Sequence, residues 1–105
     1  MLTIAPIDLF HELQTSNEYC LIDVRSITER NEFNIGGMHI PLERILNEIQ
    51  SIPKNKKVVV YCQKGIRSQI AIQRIQIKFG INNFINLEGG LVAWKRSIIN
   101  QYGIN

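Results

Sequence analysis

The sequence predicts an α/β fold: three layers, with a central, mainly parallel sheet of about five short strands and helices on both faces. Two observations carry this. Apolar, β-rich runs alternate along the chain with helix-patterned segments, and the main runs are each followed at once by a helix-start signal. At 105 residues, with no repeat, low-complexity tract or linker, residues 1–105 are read as one domain. A chain of that size builds a core without disulfides or a structural metal, and no metal or cofactor is expected.

Taken in order, Pro6 stands where a first helical turn begins, and Ile7, Phe10 and Leu13 supply an apolar face before the turn-prone Thr15-Ser16-Asn17. This is a short opening helix. Tyr19 to Val24 is a buried strand. Ser26-Ile27-Thr28-Glu29 has the form of a capping box, so a helix starts at Ser26 and Arg25 is the joint between the two. Ile35-Gly36-Gly37 is a turn into a brief strand that Pro41 ends, followed by a short helix from Leu42 to Ile49 and a polar loop from Ser51 to Lys57. A strand ends at Tyr61-Cys62, and a helix runs from about Arg67 to Phe79, where Gly80 stops it. Asn83 to Leu87 is the last strand, Gly89-Gly90 a turn, and Leu91 to Ile99 a closing helix whose Trp94 belongs in the core.

On the helix after Cys62, Ala71, Ile72, Ile75 and Phe79 share the face expected to be core, while Ile66, Ile70 and Ile77 fall roughly opposite. That second stripe is either covered by another element or exposed beside the Cys62 loop. The isoleucine-rich composition favours cover.

A formal charge of +3, spread along the chain without a basic run or interleaved aromatics, gives no reason to expect nucleic acid as a partner. No apolar stretch approaches membrane-span length and the amino terminus lacks a secretory pattern, so no membrane partner and a cytoplasmic location are expected. Two irregularly spaced cysteines fit free thiols in a reducing compartment. In a parallel sheet Cys20, at the start of its strand, lies on the order of 13 Å along the strand direction from Cys62, at the end of another. No disulfide between them is expected.

Cys62 to Ser68 carries the chemistry. A thiol at the end of a buried strand, followed by Gln63, Lys64, Gly65, Ile66, Arg67 and Ser68 at a helix start, places sulfur where backbone N–H groups and two cations gather. Such surroundings favour thiolate over thiol without a histidine base. His11 and His39 are accordingly read as structural or surface residues. Gly65 lets the backbone curl, Ser68 caps the helix, Lys64 and Arg67 are cations at the mouth, and Asp23 and Arg25 form a supporting ion pair.

Leu21-Ile22-Asp23-Val24-Arg25, Ile40-Pro41-Leu42, Tyr61-Cys62-x-x-Gly65-x-Arg67-Ser68-x-x-Ala71 and Leu87-x-Gly89-Gly90-x-x-x-Trp94 occur in one order along almost the whole chain. Together they resemble the rhodanese-like sulfurtransferase domain. The resemblance implies a Cys62 that accepts a sulfane sulfur from thiosulfate, polysulfide or a persulfidated protein and passes it to a thiol, cyanide or protein acceptor. The turn Asn34-Ile35-Gly36-Gly37 departs from the usual Gly-His-Ile-Pro-Gly-Ala form. It looks like the version fused to adenylating enzymes of molybdopterin or thiamine biosynthesis, which implies a ubiquitin-like sulfur carrier protein among the partners. The rival readings are a non-catalytic binding module and, further off, a phosphatase or arsenate reductase. Against the last, the fold's phosphatase relatives have five residues between Cys and Arg, and here four intervene.

Overall fold

The computed structural model describes residues 1–103. Five strands form one all-parallel sheet: β1 (Leu2–Ile4), β2 (Tyr19–Asp23), β3 (Met38–His39), β4 (Lys57–Tyr61) and β5 (Phe84–Leu87), in spatial order β1-β5-β4-β2-β3. Helices α1 (Pro6–Thr15), α2 (Ile27–Glu32) and α3 (Ile66–Phe79) lie between strands, and α4 (Gly90–Trp94) follows β5. The sheet is buried on both sides because strand side chains alternate between two cores. Val58, Val60 and Cys62 face Ala71, Ile72 and Ile75 of α3. Val59 and Tyr61 face Leu9 of α1 and Leu91, Trp94 and Ile98 near the carboxyl end. Among the described residues no helix is long and apolar enough to cross a membrane.

Several expectations need correction. β1 went unseen, since three residues of which Leu2 and Thr3 stay exposed carry no burial pattern; it is a strand because it pairs with β5. The helix expected over Leu42–Ile49 is instead two single 3₁₀ turns, Leu42–Arg44 and Ile49–Ser51. Ile45 between them is fully buried, so burying that one side chain and the apolar residues beside it takes precedence over a regular helix. The closing helix begins at Gly90 and widens into a π-helical stretch over Lys95–Ile99, which brings Ile98 into the core. Phe79, placed in the core by periodicity, is 40% exposed, since α3 ends there and the next residue, Gly80, turns away in the left-handed conformation.

The isoleucine stripe on α3 is not covered. Ile66 is 63% and Ile77 85% exposed, with Ile70 half-buried between them. Composition was a poor guide here, because no element of the described residues packs on that side of α3.

Cys20 lies opposite Val58 in the β2–β4 register, four residues before Cys62 on the neighbouring strand. Both cysteines are free thiols. Cys20 lies near Met38 Sδ at 3.9 Å, and burial pushes its thiol up from the ordinary value. If Cys62 carries sulfur as the resemblance implies, a Cys20→Ser protein is expected to transfer it within about twofold of the unsubstituted rate; a loss of tenfold or more in a transfer assay would place Cys20 on the reaction path.

Candidate active site

β4 delivers Cys62 to the carboxyl end of the sheet, the edge where open parallel sheets place their sites. The thiol is 1% exposed. Its Sγ accepts the N–H of Gly65 at 3.1 Å and the N–H of Ser68 at 3.4 Å, both from the first turn of α3 or the residue before it. Gly65, at φ 91°, is the residue on which the chain turns inward so that these two N–H groups converge. With the positive end of a 14-residue helix behind them, they form a cradle for a negatively charged sulfur. A cavity of about 330 Å³ opens on Cys62, lined by Gln63, Lys64, Ile66 and Arg67.

Asn86 holds the cradle from β5. Its Nδ2 donates to the Gly65 carbonyl at 3.2 Å, which fixes the amide so that Oδ1 accepts the Ser68 hydroxyl at 2.6 Å. Ser68 Oγ is in turn 3.4 Å from Cys62 Sγ. With its proton committed to Asn86, the hydroxyl presents lone pairs to the sulfur and is placed to accept from a thiol. α4 grips the loop on its other side. The Leu91 N–H donates to the Cys62 carbonyl and the Val92 N–H to the Gln63 carbonyl, both at 3.0 Å.

A model of the family described as "Rhodanese-like domain" matches residues 7–97. The chain belongs to the rhodanese-like family. It is 30% identical over 99 residues to "Probable adenylyltransferase/sulfurtransferase MoeZ" of Mycobacterium tuberculosis, covering 91% of this chain but only 25% of that protein. The chain thus spans a quarter of the length of MoeZ. A protein named "Sulfurtransferase" from Allochromatium vinosum is 32% identical over 89 residues, covering 84% of this chain and 82% of the relative. Among solved structures, a rhodanese-like domain protein from Staphylococcus aureus superposes with a TM-score of 0.79 at 28% identity, over 90% of this chain and 91% of that one.

In this rhodanese-like chain the expected loop residues do come together, though not all as expected. Ser68 does not cap α3: Gly65 occupies the N-cap position, and Ser68 is buried against the sulfur and Asn86. Lys64 is exposed at the mouth. Arg67 is engaged by Glu29, its two guanidinium nitrogens each 2.8 Å from a carboxylate oxygen. Asp23 and Arg25 are fully or nearly buried and paired through two side-chain hydrogen bonds of 2.9 Å. Arg25 also donates to the Phe33 carbonyl at 2.6 Å, and the Tyr61 hydroxyl to the Gly36 carbonyl at 2.8 Å. The Asp23–Arg25 pair and Tyr61, whose hydroxyl burial pushes up to about 12, thus hold the turn that leads into β3. His39 Nε2 is 2.7 Å from the Arg25 carbonyl, and no cluster of three metal-ligating side chains occurs among the described residues.

Two residues escaped sequence reasoning. Asn86 is the one strongly polar side chain in a short, otherwise apolar strand, and a buried amide in such a place implies a partner; that was the available signal. Glu29 was recognised only as half of the capping box. In the structure it caps α2 through Ser26 and holds Arg67 at once. Its hydrogen bonds from Arg67 lower the carboxyl to about 2. A carboxylate with a depressed folded-state value stabilises the fold fully above its unfolded value, near 4.5, and that contribution is lost as pH falls toward 2. Both side chains are roughly a third exposed, so solvent screening limits the ion pair to about 1 kcal/mol or less. Thermal melts between pH 5 and 2 are expected to fall less steeply for Glu29→Gln than for wild type; identical slopes would show that the pair does not contribute.

Proposed function

We propose that this protein is a sulfurtransferase in which Cys62 carries a sulfane sulfur as a persulfide. The observation that supports the reading best is the convergence of the Gly65 and Ser68 N–H groups on a sulfur at the base of an open cavity. With thiosulfate as donor, the Cys62 thiolate attacks the outer sulfur, the S–S bond to the sulfonate group breaks, and sulfite leaves with the electron pair. The acceptor, a thiolate or cyanide, then attacks the outer sulfur of the persulfide. The S–S bond to Cys62 breaks, and the thiolate returns to its cradle. Fixed backbone donors suit this cycle because they stabilise the anionic sulfur without reorganising. No histidine takes part and no cofactor is needed. Persulfidated proteins are donors of the same chemical kind, and the likeness to MoeZ makes a ubiquitin-like sulfur carrier protein a candidate partner in a reducing, cytoplasmic setting.

Mass spectrometry of the purified protein after thiosulfate or polysulfide treatment tests this directly. One added sulfur on Cys62, removed by a thiol acceptor and absent from Cys62→Ser, is the expected result. Failure of both donors to form the adduct would sink the transferase reading and leave the non-catalytic binding module in its place.

A further inference from the structure

The outward face of α3 is amphipathic in a way that the fold does not use. Ile66, Ile70 and Ile77 stand at i, i+4 and i+11, within 40° of one another around the helix axis. Ile66 and Ile77 are among the most exposed large apolar side chains of the protein. Arg74 and Lys78 flank this ridge on one side, and Gln69, Gln73 and Gln76 on the other. From Cys62 to Leu87 the chain carries four cations, Lys64, Arg67, Arg74 and Lys78, and no acid. Those four exceed the whole formal charge of +3. Arg67 is taken by Glu29, whereas Lys64, Arg74 and Lys78 have no ion-pair partner among the described residues.

We infer that this face docks a partner protein through a segment that presents apolar side chains interspersed with carboxylates. The inference rests on the reading of Cys62 as a sulfur carrier and concerns who exchanges sulfur with it. Ile66 is the link: it begins the ridge and also lines the cavity over Cys62. A segment lying along α3 from Ile77 to Ile66, about 16 Å at 1.5 Å per residue, has its end at the sulfur. The ridge excludes water from the contact while Lys64, Arg74 and Lys78 select an acidic partner and speed its encounter. A small donor such as thiosulfate needs only the cavity, so the two kinds of substrate are separable by mutation.

The probe is a synthetic helical peptide with leucines at i, i+4 and i+7, glutamates between them and a terminal cysteine, compared with a version carrying lysine for glutamate. Added to the unmodified protein, the glutamate peptide is expected to shift the backbone NMR signals of residues 64–78, with binding weakened severalfold in 0.5 M salt, where the Debye length falls to about 4 Å from about 10 Å at 0.1 M. The lysine peptide is expected not to bind. With Cys62 persulfidated, Ile77→Ser and Arg74→Glu should each slow transfer to the peptide cysteine about fivefold to tenfold and leave transfer to glutathione unchanged. Wild-type peptide rates in both variants, or shifts confined to another face, would overturn the proposal. So would concentration-dependent self-association that buries the same amides, since a second copy would then be the occupant. If Cys62 forms no persulfide at all, the transferase reading fails, yet the NMR arm still decides the docking surface.

Discussion

Gly90→Ala is expected to destabilise the protein by about 2–4 kcal/mol and to lower sulfur transfer by the folded protein about a hundredfold. Two costs add at this position. Gly90 has φ 62°, where an L-residue pays about 1–2 kcal/mol. A Cβ there would also lie 2.6 Å from both the Cys62 and the Gln63 carbonyl oxygens, which are backbone atoms with no room to give. The loop or α4 must therefore move apart, and the 3.0 Å bonds from Leu91 and Val92 to those carbonyls are the ones stretched. Cys62 is carried by the same loop, and a misplacement on the order of 1 Å costs about a hundredfold in rate. Gly80→Ala isolates the first cost: φ is 69°, but nothing lies within 4 Å of the added carbon. It is expected to lose about 1 kcal/mol in urea denaturation and to transfer sulfur normally. Equal activity in the two variants would show that contact between α4 and the loop does not position the sulfur.

That contact shows where the sequence was legible and where it was not. Strands β2, β4 and β5, the capping box at Ser26, the end of α3 at Gly80 and the placing of Cys62 at a strand-to-helix turn are all local in sequence, and each has a local signature. The Gly89-Gly90 pair was visible only as a turn. Its function is to let α4 approach a loop 25 or more residues earlier, which no local pattern encodes. Asn86 is the same case in side-chain form: it joins the Gly65 carbonyl to the Ser68 hydroxyl across a strand and a helix. β1 was missed for a related reason, being too short and too exposed to be a strand except by pairing with β5. Ser68 was assigned as a cap because serine near a helix start usually is one. Here the glycine three residues earlier takes that position, and the serine is free to meet the sulfur.

The second large effect lies at the end of β2. Asp23→Ala is expected to cost about 3–5 kcal/mol, read as a shifted urea midpoint with an unchanged slope, because it leaves the Arg25 guanidinium buried without its counter-ion. Arg25 side-chain exposure is 3%, and Asp23 is also 3.6 Å from Arg30, so one carboxylate balances two cations. For a chain this small such a loss is a large share of the total stability. Replacing both partners, Asp23→Leu with Arg25→Met, removes the orphaned charge and is expected to recover at least half of it. Arg30, with a side chain 19% exposed, can then turn toward solvent. The activity of the double variant separates two roles for the pair. Asp23 and Arg25 make no hydrogen bond to Cys62, Gly65 or Ser68; their bonds run to the turn before β3 instead. Transfer within about threefold of wild type is therefore expected at a temperature where the double variant is folded. A folded double variant that transfers a hundredfold more slowly would mean that the pair's charge acts on the sulfur chemistry itself, and Asp23 would have to be moved from the brace to the reaction.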